Sequence, residues 1–386
     1  MTDPTLRLAV SLLLTTGIFA AAGHAQDDAR DLEKVNNAAH FLAGLDLPHS
    51  GSESLAESSA FATHRSQLDR EWNDYTKSTL HPMSAWATSE VAPYSKSDGV
   101  LRYLFSGPDI LHAFHVFPKV DTYVMCGLEP VGVAPNIDGL TPGTAGRALG
   151  EVRNALGEII NFSFFRTKDM KVDLQYGVFR GTTPIMMVFL ARSGQYLLDY
   201  EFYELQSDGT LASQGADSKG ANVVRIEFSP RRLKNNKTLY YFSTDLSNSG
   251  FTKNGFSKWL EAQPKGDSYL KAASFLMHSD WFGDVRDHLL DYSNVIVQTD
   301  SGIPYRHFDK DTWDIQLYGT YTRPIDLFAE YGQGDLRAAY GSGGVKKIDF
   351  GTGYKWRKGQ SNLMRFVRKG VVPEATPVEE APPATE

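Results

Sequence analysis

Small and acidic side chains stand together at four points of the sequence where a predicted strand ends. Carboxylates that converge in a pocket bind hard cations or act as a general acid and base, and a serine beside them is a possible nucleophile. The candidate catalytic residues are Ser106, Asp109, Glu129, Asp245, Asp300 and Ser301. The residue types do not indicate which metal or cofactor would bind, so both are unknown from the sequence.

The same residues also have a purely structural interpretation. Asp109 and Asp245 would cap helices, and Asp300 would shape a turn with Ser301. Glu129 would form an ion pair with a loop arginine. A shared site is expected only if the four strand ends lie at one edge of the sheet, where ligands of open α/β sheets collect.

The spacing between Gly107 and Glu129 suggests one further alternative. It equals one strand, turn, helix and strand unit, as in nucleotide-binding folds where an acid after the second strand holds a ribose. Here the turn has a single glycine, and Pro108 follows it without a backbone donor for a phosphate. The nucleotide interpretation is therefore less favoured than the structural one.

Other chemical motifs are weak. The sequence contains neither G-x-S-x-G nor H-E-x-x-H, which removes the common serine hydrolases and zinc proteases. An S-x-x-K match at Ser268 to Lys271 lacks its usual companion motifs and is interpreted as chance. His112 and His115 have a spacing that suits a metal, but their apolar neighbours favour a buried helix. Cys126 lies in an apolar run and is predicted to be buried.

The elements that would position these residues alternate between helix and strand. Gly99 to Phe105, a short helix and Thr122 to Leu128 form a unit that usually pairs its strands in parallel. Ile185 to Ala191 is predicted as a strand that forms a hairpin with the next one, and Ser268 to His278 is predicted as a helix. We expect an α/β fold with a mixed, partly antiparallel sheet flanked by helices, and a helical N-terminal cover.

Composition changes along the chain predict five regions. The central region is the mixed α/β domain, and the last region is rich in proline and glutamate and should be disordered. The regions are a signal peptide over 1–25, a helical N-terminal segment over 26–98, the α/β domain over 99–350, a basic C-terminal extension over 351–370 and an acidic tail over 371–386.

Residues 1–25 also predict the compartment. Arg7 precedes an apolar run, and Gly23 and Ala25 are small residues at the positions read by a signal peptidase. We expect cleavage before Gln26, export to the periplasm or the medium, and no stable membrane insertion afterwards. The formal charge of −7 and the absence of a large basic patch argue against nucleic acid as a partner.

The strings Phe105 to Asp109, Gly127 to Gly132 and Gln298 to Pro304, together with Trp313, resemble parts of an uncharacterised family of exported bacterial proteins. The resemblance implies export and a single α/β domain, and it implies no activity. We therefore expect an exported module that binds an unknown small molecule or an envelope component. A hydrolase acting on an envelope substrate and a structural or interaction module are the alternatives.

Overall fold

A computed structural model of the protein describes residues 32–162, 180–216, 218–230 and 236–374. The strands of the described residues are β1 Val100–Tyr103, β2 Thr122–Gly127, β3 Gln195–Leu205, β4 Leu211–Gly215, β5 Val223–Pro230, β6 Lys237–Ser243, β7 Gly266–Leu270, β8 Ser293–Gln298, β9 Trp313–Gly319 and β10 Asn362–Arg368. They form one ten-stranded sheet in the order β4-β3-β5-β6-β2-β1-β7-β8-β10-β9.

Helices connect most of these strands. The α-helices are α1 over 32–42, α2 Glu53–Ala56, α3 Ser59–Tyr75, α4 His81–Glu90, α5 Ile110–Val116, α6 Pro142–Phe162, α7 Thr183–Arg192, α8 Asn248–Lys253, α9 Phe256–Glu261, α10 Gly283–Tyr292 and α11 Gly334–Gly341. A π-helical turn, Thr76–Leu80, joins α3 to α4. Short 3₁₀ segments include Ala272–His278 and Asp326–Tyr331. Together with the mixed sheet, these helices confirm the predicted α/β class.

The centre of the sheet is parallel. β1 pairs in parallel with β2 on one side and with β7 on the other, β2 continues to β6, and β7 continues to β8. The five remaining pairs of the described strands, β4–β3, β3–β5 and β5–β6 on one side and β8–β10 and β10–β9 on the other, are antiparallel. The chain therefore adds β2 to β6 on one side of β1, and then adds β7 to β10 on the other side. The reversal makes the gap between the carboxyl ends of β1 and β7 a topological switch point, where open α/β sheets bind ligands.

Alternate side chains of the sheet enter two different cores. In β2, Tyr123 and Met125 pack on one face with the N-terminal helices, whereas Val124 and Cys126 pack on the other with α8 to α10. Both cores are closed, because a parallel strand needs cover on both of its faces. Cys126 is completely buried, as predicted. No helix among the described residues is long and apolar enough to cross a membrane.

Two predicted segments have a different secondary structure. Ile185 to Ala191, predicted as a strand, lies inside α7, in which every residue from Thr183 to Ala191 is buried. A run that is apolar on all sides has no periodicity that separates helix from strand. Ser268 to His278, predicted as a helix, begins inside β7 and continues as the 3₁₀ segment Ala272–His278. The fully buried β7 lies between two parallel strands and so lacks the alternation of a half-exposed strand.

The sequence-based regions can be placed on this fold. Residues 32–90 are mostly helical and cover one face of the sheet. The predicted C-terminal extension, 351–370, contains β10, which lies inside the sheet between β8 and β9. The predicted signal peptide over 1–25 and residues 375–386 of the predicted tail lie outside the described residues.

Candidate functional site

A cavity of about 140 Å³ lies at the carboxyl ends of β1, β2, β6 and β7. Its lining comes from the loops that follow these four strands, and most of its wall is apolar. The lining residues are Tyr103, Phe105, Ser106, Gly107, Asp109, Gly127, Leu128, Glu129, Thr244, Asp245, Leu246, Lys271, Ala272, Ala273, Leu276 and Phe282. We call this cavity the strand-end pocket. It lies at the switch point between β1 and β7.

Four of the six candidate residues line the strand-end pocket. They are Ser106, Asp109, Glu129 and Asp245. The carboxylate of Asp109 caps α5 by accepting a hydrogen bond from the backbone N–H of His112, as the structural interpretation predicted. Asp245 accepts hydrogen bonds from the backbone and side chain of Ser247, which is itself the cap of α8. Asp245 therefore forms the turn before that helix and does not cap it.

Asp300 and Ser301 do not join this pocket. The carboxylate of Asp300 accepts a hydrogen bond from the side chain of Asn362, 3.0 Å away. Ser301 hydrogen-bonds with the hydroxyls of Ser274 and Thr299. Since Ser274 belongs to the 3₁₀ segment whose Ala272 and Leu276 line the pocket, that segment separates Asp300 and Ser301 from it. Our expectation of one shared acidic cluster is corrected in this respect.

The pocket floor contains a buried charged network that motif analysis did not identify. The Nζ atom of Lys271 lies 2.8 Å from Oδ2 of Asp109 and 2.5 Å from Nδ1 of His112. The same Oδ2 atom accepts a hydrogen bond from the hydroxyl of Tyr103. On the other side of the imidazole, the Tyr75 hydroxyl lies 2.5 Å from Nε2. Asp109 and Lys271 thus neutralise each other below the pocket.

Burial and charge have opposing effects in this network. Burial alone would raise the pKa of Asp109, but the positive charges of protonated His112, which is the form present at acid pH, and of Lys271 lower it to about 2. Burial lowers the pKa of Lys271, and Asp109 opposes that change. Burial also lowers the pKa of His112, so its neutral form is favoured. Near neutral pH the network is therefore an ion pair with a neutral imidazole beside it.

Glu129 is the carboxylate that has the fewest partners in the pocket. It is 2% exposed, and the only hydrogen bond to its carboxylate within the described structure comes from the Tyr241 hydroxyl, 3.4 Å from Oε2. The same hydroxyl lies closer, at 3.0 Å, to the backbone carbonyl of Glu129. Its carboxylate folds over Gly127, where a Cβ atom would lie 2.2 Å from Oε2. A carboxylate accepts about four hydrogen bonds, and buried polar groups are normally satisfied. Glu129 therefore has unused acceptor capacity at the cavity.

The turn between β1 and α5 uses its own backbone donors. The N–H groups of Ser106 and Gly107 both donate to the carbonyl of Cys126, and Pro108 has no N–H. The Asp109 carboxylate already occupies the N-terminus of α5. A phosphate would need free N–H groups at this point and would meet carboxylates instead. The geometry therefore disfavours an anionic ligand at the turn.

Backbone strain is concentrated at the same place. Among the described residues, Phe105 and Ala272 are the two non-glycine residues with positive φ, at 91° and 57°. One follows β1 and the other follows β7, and both line the strand-end pocket. Such conformations cost about 1 to 3 kcal/mol and cluster at functional sites. The strained backbone at these two positions lowers the stability of the fold at the walls of the pocket, as is common at functional sites.

We expect Ala272→Gly to leave stability unchanged or to raise it by up to about 1 kcal/mol. The left-handed conformation costs a residue with a Cβ about 1 to 2 kcal/mol, and the greater unfolded-state freedom of glycine offsets part of that gain. Ala273→Gly is the matched control, since Ala273 also lines the pocket but has an ordinary φ. It should lose about 0.5 to 1 kcal/mol in urea unfolding. Equal losses in both variants would show that Ala272 is not strained.

The geometry does not support a serine nucleophile. The Ser106 hydroxyl donates to backbone carbonyls of Gly107 and Cys126 and contacts no histidine or carboxylate within the described structure. Among the described residues, the Ser301 hydroxyl hydrogen-bonds with the hydroxyls of Ser274 and Thr299 and with no histidine or carboxylate. His115 hydrogen-bonds with Ser84, away from the His112 network. Within the described ranges, no group of three or more histidine, cysteine, aspartate or glutamate side chains is arranged to hold a metal.

Lys271 is the pocket residue that sequence reasoning placed in the wrong context. It belongs to the S-x-x-K match, but Ser268 lies inside β7 and hydrogen-bonds with Ser293, so the two do not act together. No local signal identifies Lys271, because the strand before it, Gly266–Leu270, contains Asp267 and Ser268 and is not apolar although it is fully buried. Its partner Asp109 is 162 residues earlier, and no local pattern connects them.

Comparison of the chain with protein-family models, with curated proteins and with solved structures gave no match.

Proposed function

We propose that this protein binds a small, neutral, hydroxylated ligand of the nucleoside type in the strand-end pocket. The observation that carries the proposal is the Glu129 carboxylate, buried at the cavity with one long hydrogen bond from Tyr241. Vicinal hydroxyls of a sugar ring donate two hydrogen bonds to one carboxylate. Charge-assisted hydrogen bonds of this kind are stronger than neutral ones.

The position of Glu129 supports a ribose in particular. It lies two residues beyond the end of β2, next to the turn after β1, in a parallel sheet whose central order is β6-β2-β1-β7-β8. In sheets with this order, an acid after the second strand hydrogen-bonds the ribose of the ligand. The spacing of Gly107 and Glu129 also suggested a nucleotide-binding fold. We favour that interpretation for a nucleoside, which has the ribose but no phosphate.

The remaining surface fits the rest of such a ligand. The cavity of about 140 Å³ holds one ring, so a second ring would lie at its mouth. Leu128 and Leu276 line that mouth and are 55% and 42% exposed, which is unusual for leucine. Phe105 and Phe282 form the adjoining wall, and their rings pack edge to face with their centres 6.1 Å apart. A flat base would cover this apolar surface.

The test compares adenosine with AMP by isothermal titration calorimetry. Adenosine should bind, and AMP should bind at least tenfold more weakly, because its phosphate meets Glu129 and Asp245 and finds no free backbone donors. Glu129→Gln keeps the shape of the side chain but loses the charge, and should weaken adenosine binding about 10- to 100-fold. The matched control is Asp245→Asn at the exposed rim of the same pocket, which should change adenosine affinity by less than about threefold.

Two outcomes would contradict the proposal. One is the absence of any binding heat with adenosine at millimolar concentration. The other is equal or tighter binding of AMP, which would mean that the turn after β1 accepts a phosphate. We also propose that the protein is exported. The sequence of residues 1–25 alone supports export, because these residues lie outside the described part of the chain.

A further inference from the structure

A second cavity lies between the loop after β9 and the loop before β10. It has a volume of about 520 Å³. Its lining residues are Thr320, Thr322, Arg323, Pro324, Ile325, Asp326, Tyr354, Lys355, Trp356, Arg357, Gly359 and Gln360. None of these residues lines the strand-end pocket. We call this cavity the basic groove.

The charge of the basic groove is opposite to that of the whole chain. Arg323, Lys355 and Arg357 face one acid, Asp326, whereas the protein has a formal charge of −7. The surrounding segment 345–369 is also basic, with eight lysines and arginines and one aspartate. A cluster of positive charges attracts negatively charged ligands even when the net charge of the protein is negative. The basic groove therefore favours an anion.

Aromatic rings hold two of the three cations in place. The Arg357 guanidinium lies 4.4 Å from the centre of the Trp356 ring. The Lys355 ammonium lies 5.5 Å from the centre of the Tyr321 ring and donates to the backbone carbonyl of Arg323. Cation–π contacts orient a cation without neutralising it. Both charges thus remain available to a ligand.

The donors of the groove are incompletely used. Within the described structure, no protein group accepts a hydrogen bond from the Arg357 guanidinium, which is exposed. Arg323 has one ion pair, with Asp326 at 3.0 Å, and both side chains are largely exposed. Burial lowers the pKa of Lys355, and the nearby Arg323 charge lowers it further against the effect of Asp300. A bound anion would relieve the repulsion between these cations.

The shape of the groove adds a second requirement. Tyr354 and Trp356 are half-buried, so each presents part of its ring to the cavity. Tyr354 is fixed from behind by Phe275 and Phe328, with ring centres 6.1 and 5.4 Å away. Rigid aromatic faces beside polar groups suit a sugar ring, whose C–H face packs on them. Guanidinium groups bind carboxylates in a bidentate geometry.

We infer that the basic groove binds a saccharide that carries carboxylate groups, with Arg357 and Lys355 on the carboxylates and Trp356 against a ring. The inference is independent of the nucleoside proposal, because the two cavities share no residue. An acidic envelope polysaccharide has this chemistry.

The test is calorimetric titration of the full chain with trigalacturonate at low salt, with maltotriose as the uncharged ligand of similar shape. Trigalacturonate should bind and maltotriose should bind at least tenfold more weakly. Arg357→Ala should weaken trigalacturonate binding at least tenfold, because one bidentate pair is lost. Lys347→Ala is the matched control, since Lys347 is an exposed base outside the groove. It should leave the affinity within about twofold.

Three results would overturn the inference. They are no binding of trigalacturonate, equal binding of maltotriose, and equal losses in Arg357→Ala and Lys347→Ala, which would indicate non-specific attraction of a polyanion. Glucose 6-phosphate distinguishes the kind of anion. If it binds through Arg357 while trigalacturonate does not, the assignment of a carboxylate is wrong.

Discussion

Asp109→Asn should destabilise the protein by about 3 to 5 kcal/mol, the usual cost of breaking a buried ion pair from one side. The replacement keeps one oxygen, which can cap α5 in the place of Oδ1. Its NH2 group in the place of Oδ2 cannot accept from Tyr103, and the negative charge 2.8 Å from Lys271 is lost. Both side chains of the pair are at most 2% exposed, so water cannot replace the lost charge. Urea denaturation at pH 7 measures the change.

The control is the double variant Asp109→Asn with Lys271→Met, which removes both charges. It should be more stable than the sum of the two single losses predicts, since no uncompensated charge remains buried. If Asp109→Asn alone costs less than about 1 kcal/mol, or if the two losses simply add, the pair is not an energetic unit. In that case Asp109 would act only as a helix cap.

Asp267→Asn should stabilise the protein at pH 8, by an amount on the order of 3 kcal/mol. Asp267 is buried at the start of β7, and burial raises its pKa to about 7 although Ser95 and the Val295 backbone donate to it. Because the folded-state pKa lies above the unfolded value of about 3.8, ionisation favours unfolding. Stability from this group is complete below pH 4 and is lost as the pH rises through 7.

The measurement is the free energy of unfolding of both proteins between pH 5 and pH 8. Asp267→Asn should remove the part of the decline that Asp267 causes, so the difference between the variant and the natural protein should grow with pH. Asp98→Asn is the matched control, because Asp98 and Asp267 both line a further cavity near the start of β7 and Asp98 is exposed. It should change stability by less than about 0.5 kcal/mol. A constant difference at every pH would mean that Asp267 does not titrate in this range.

Local features of the fold could be predicted because they depend on neighbours in sequence. The unit from Gly99 to Leu128 forms two parallel strands around α5, and Asp109 caps that helix. The burial of Cys126 follows from the apolar run around it. These features depend on capping and apolar burial within about 30 residues. α7 is apolar on almost all sides and β7 is buried along its whole length, so neither segment has the periodicity that separates a helix from a strand.

The composition of the strand-end pocket depended on long-range strand pairing. Sequence placed small and acidic residues at strand ends, and the ends of β1, β2 and β6 do converge. Asp300 follows β8, on the far side of the 3₁₀ segment Ala272–His278, and is paired with Asn362 instead. Lys271 enters because β7 pairs with β1 across more than 160 residues.

The sequence by itself determined that Cys126 is buried, that Asp109 caps α5 and which strand ends are polar, because each of these depends on short-range periodicity and turn chemistry. The tertiary structure alone decided which polar ends meet, which carboxylate is neutralised and which keeps unused acceptors. Glu129 and Asp109 have the same chemistry in the sequence. They differ because Lys271, directly after β7, lies beside Asp109, whereas no cation among the described residues forms an ion pair with Glu129.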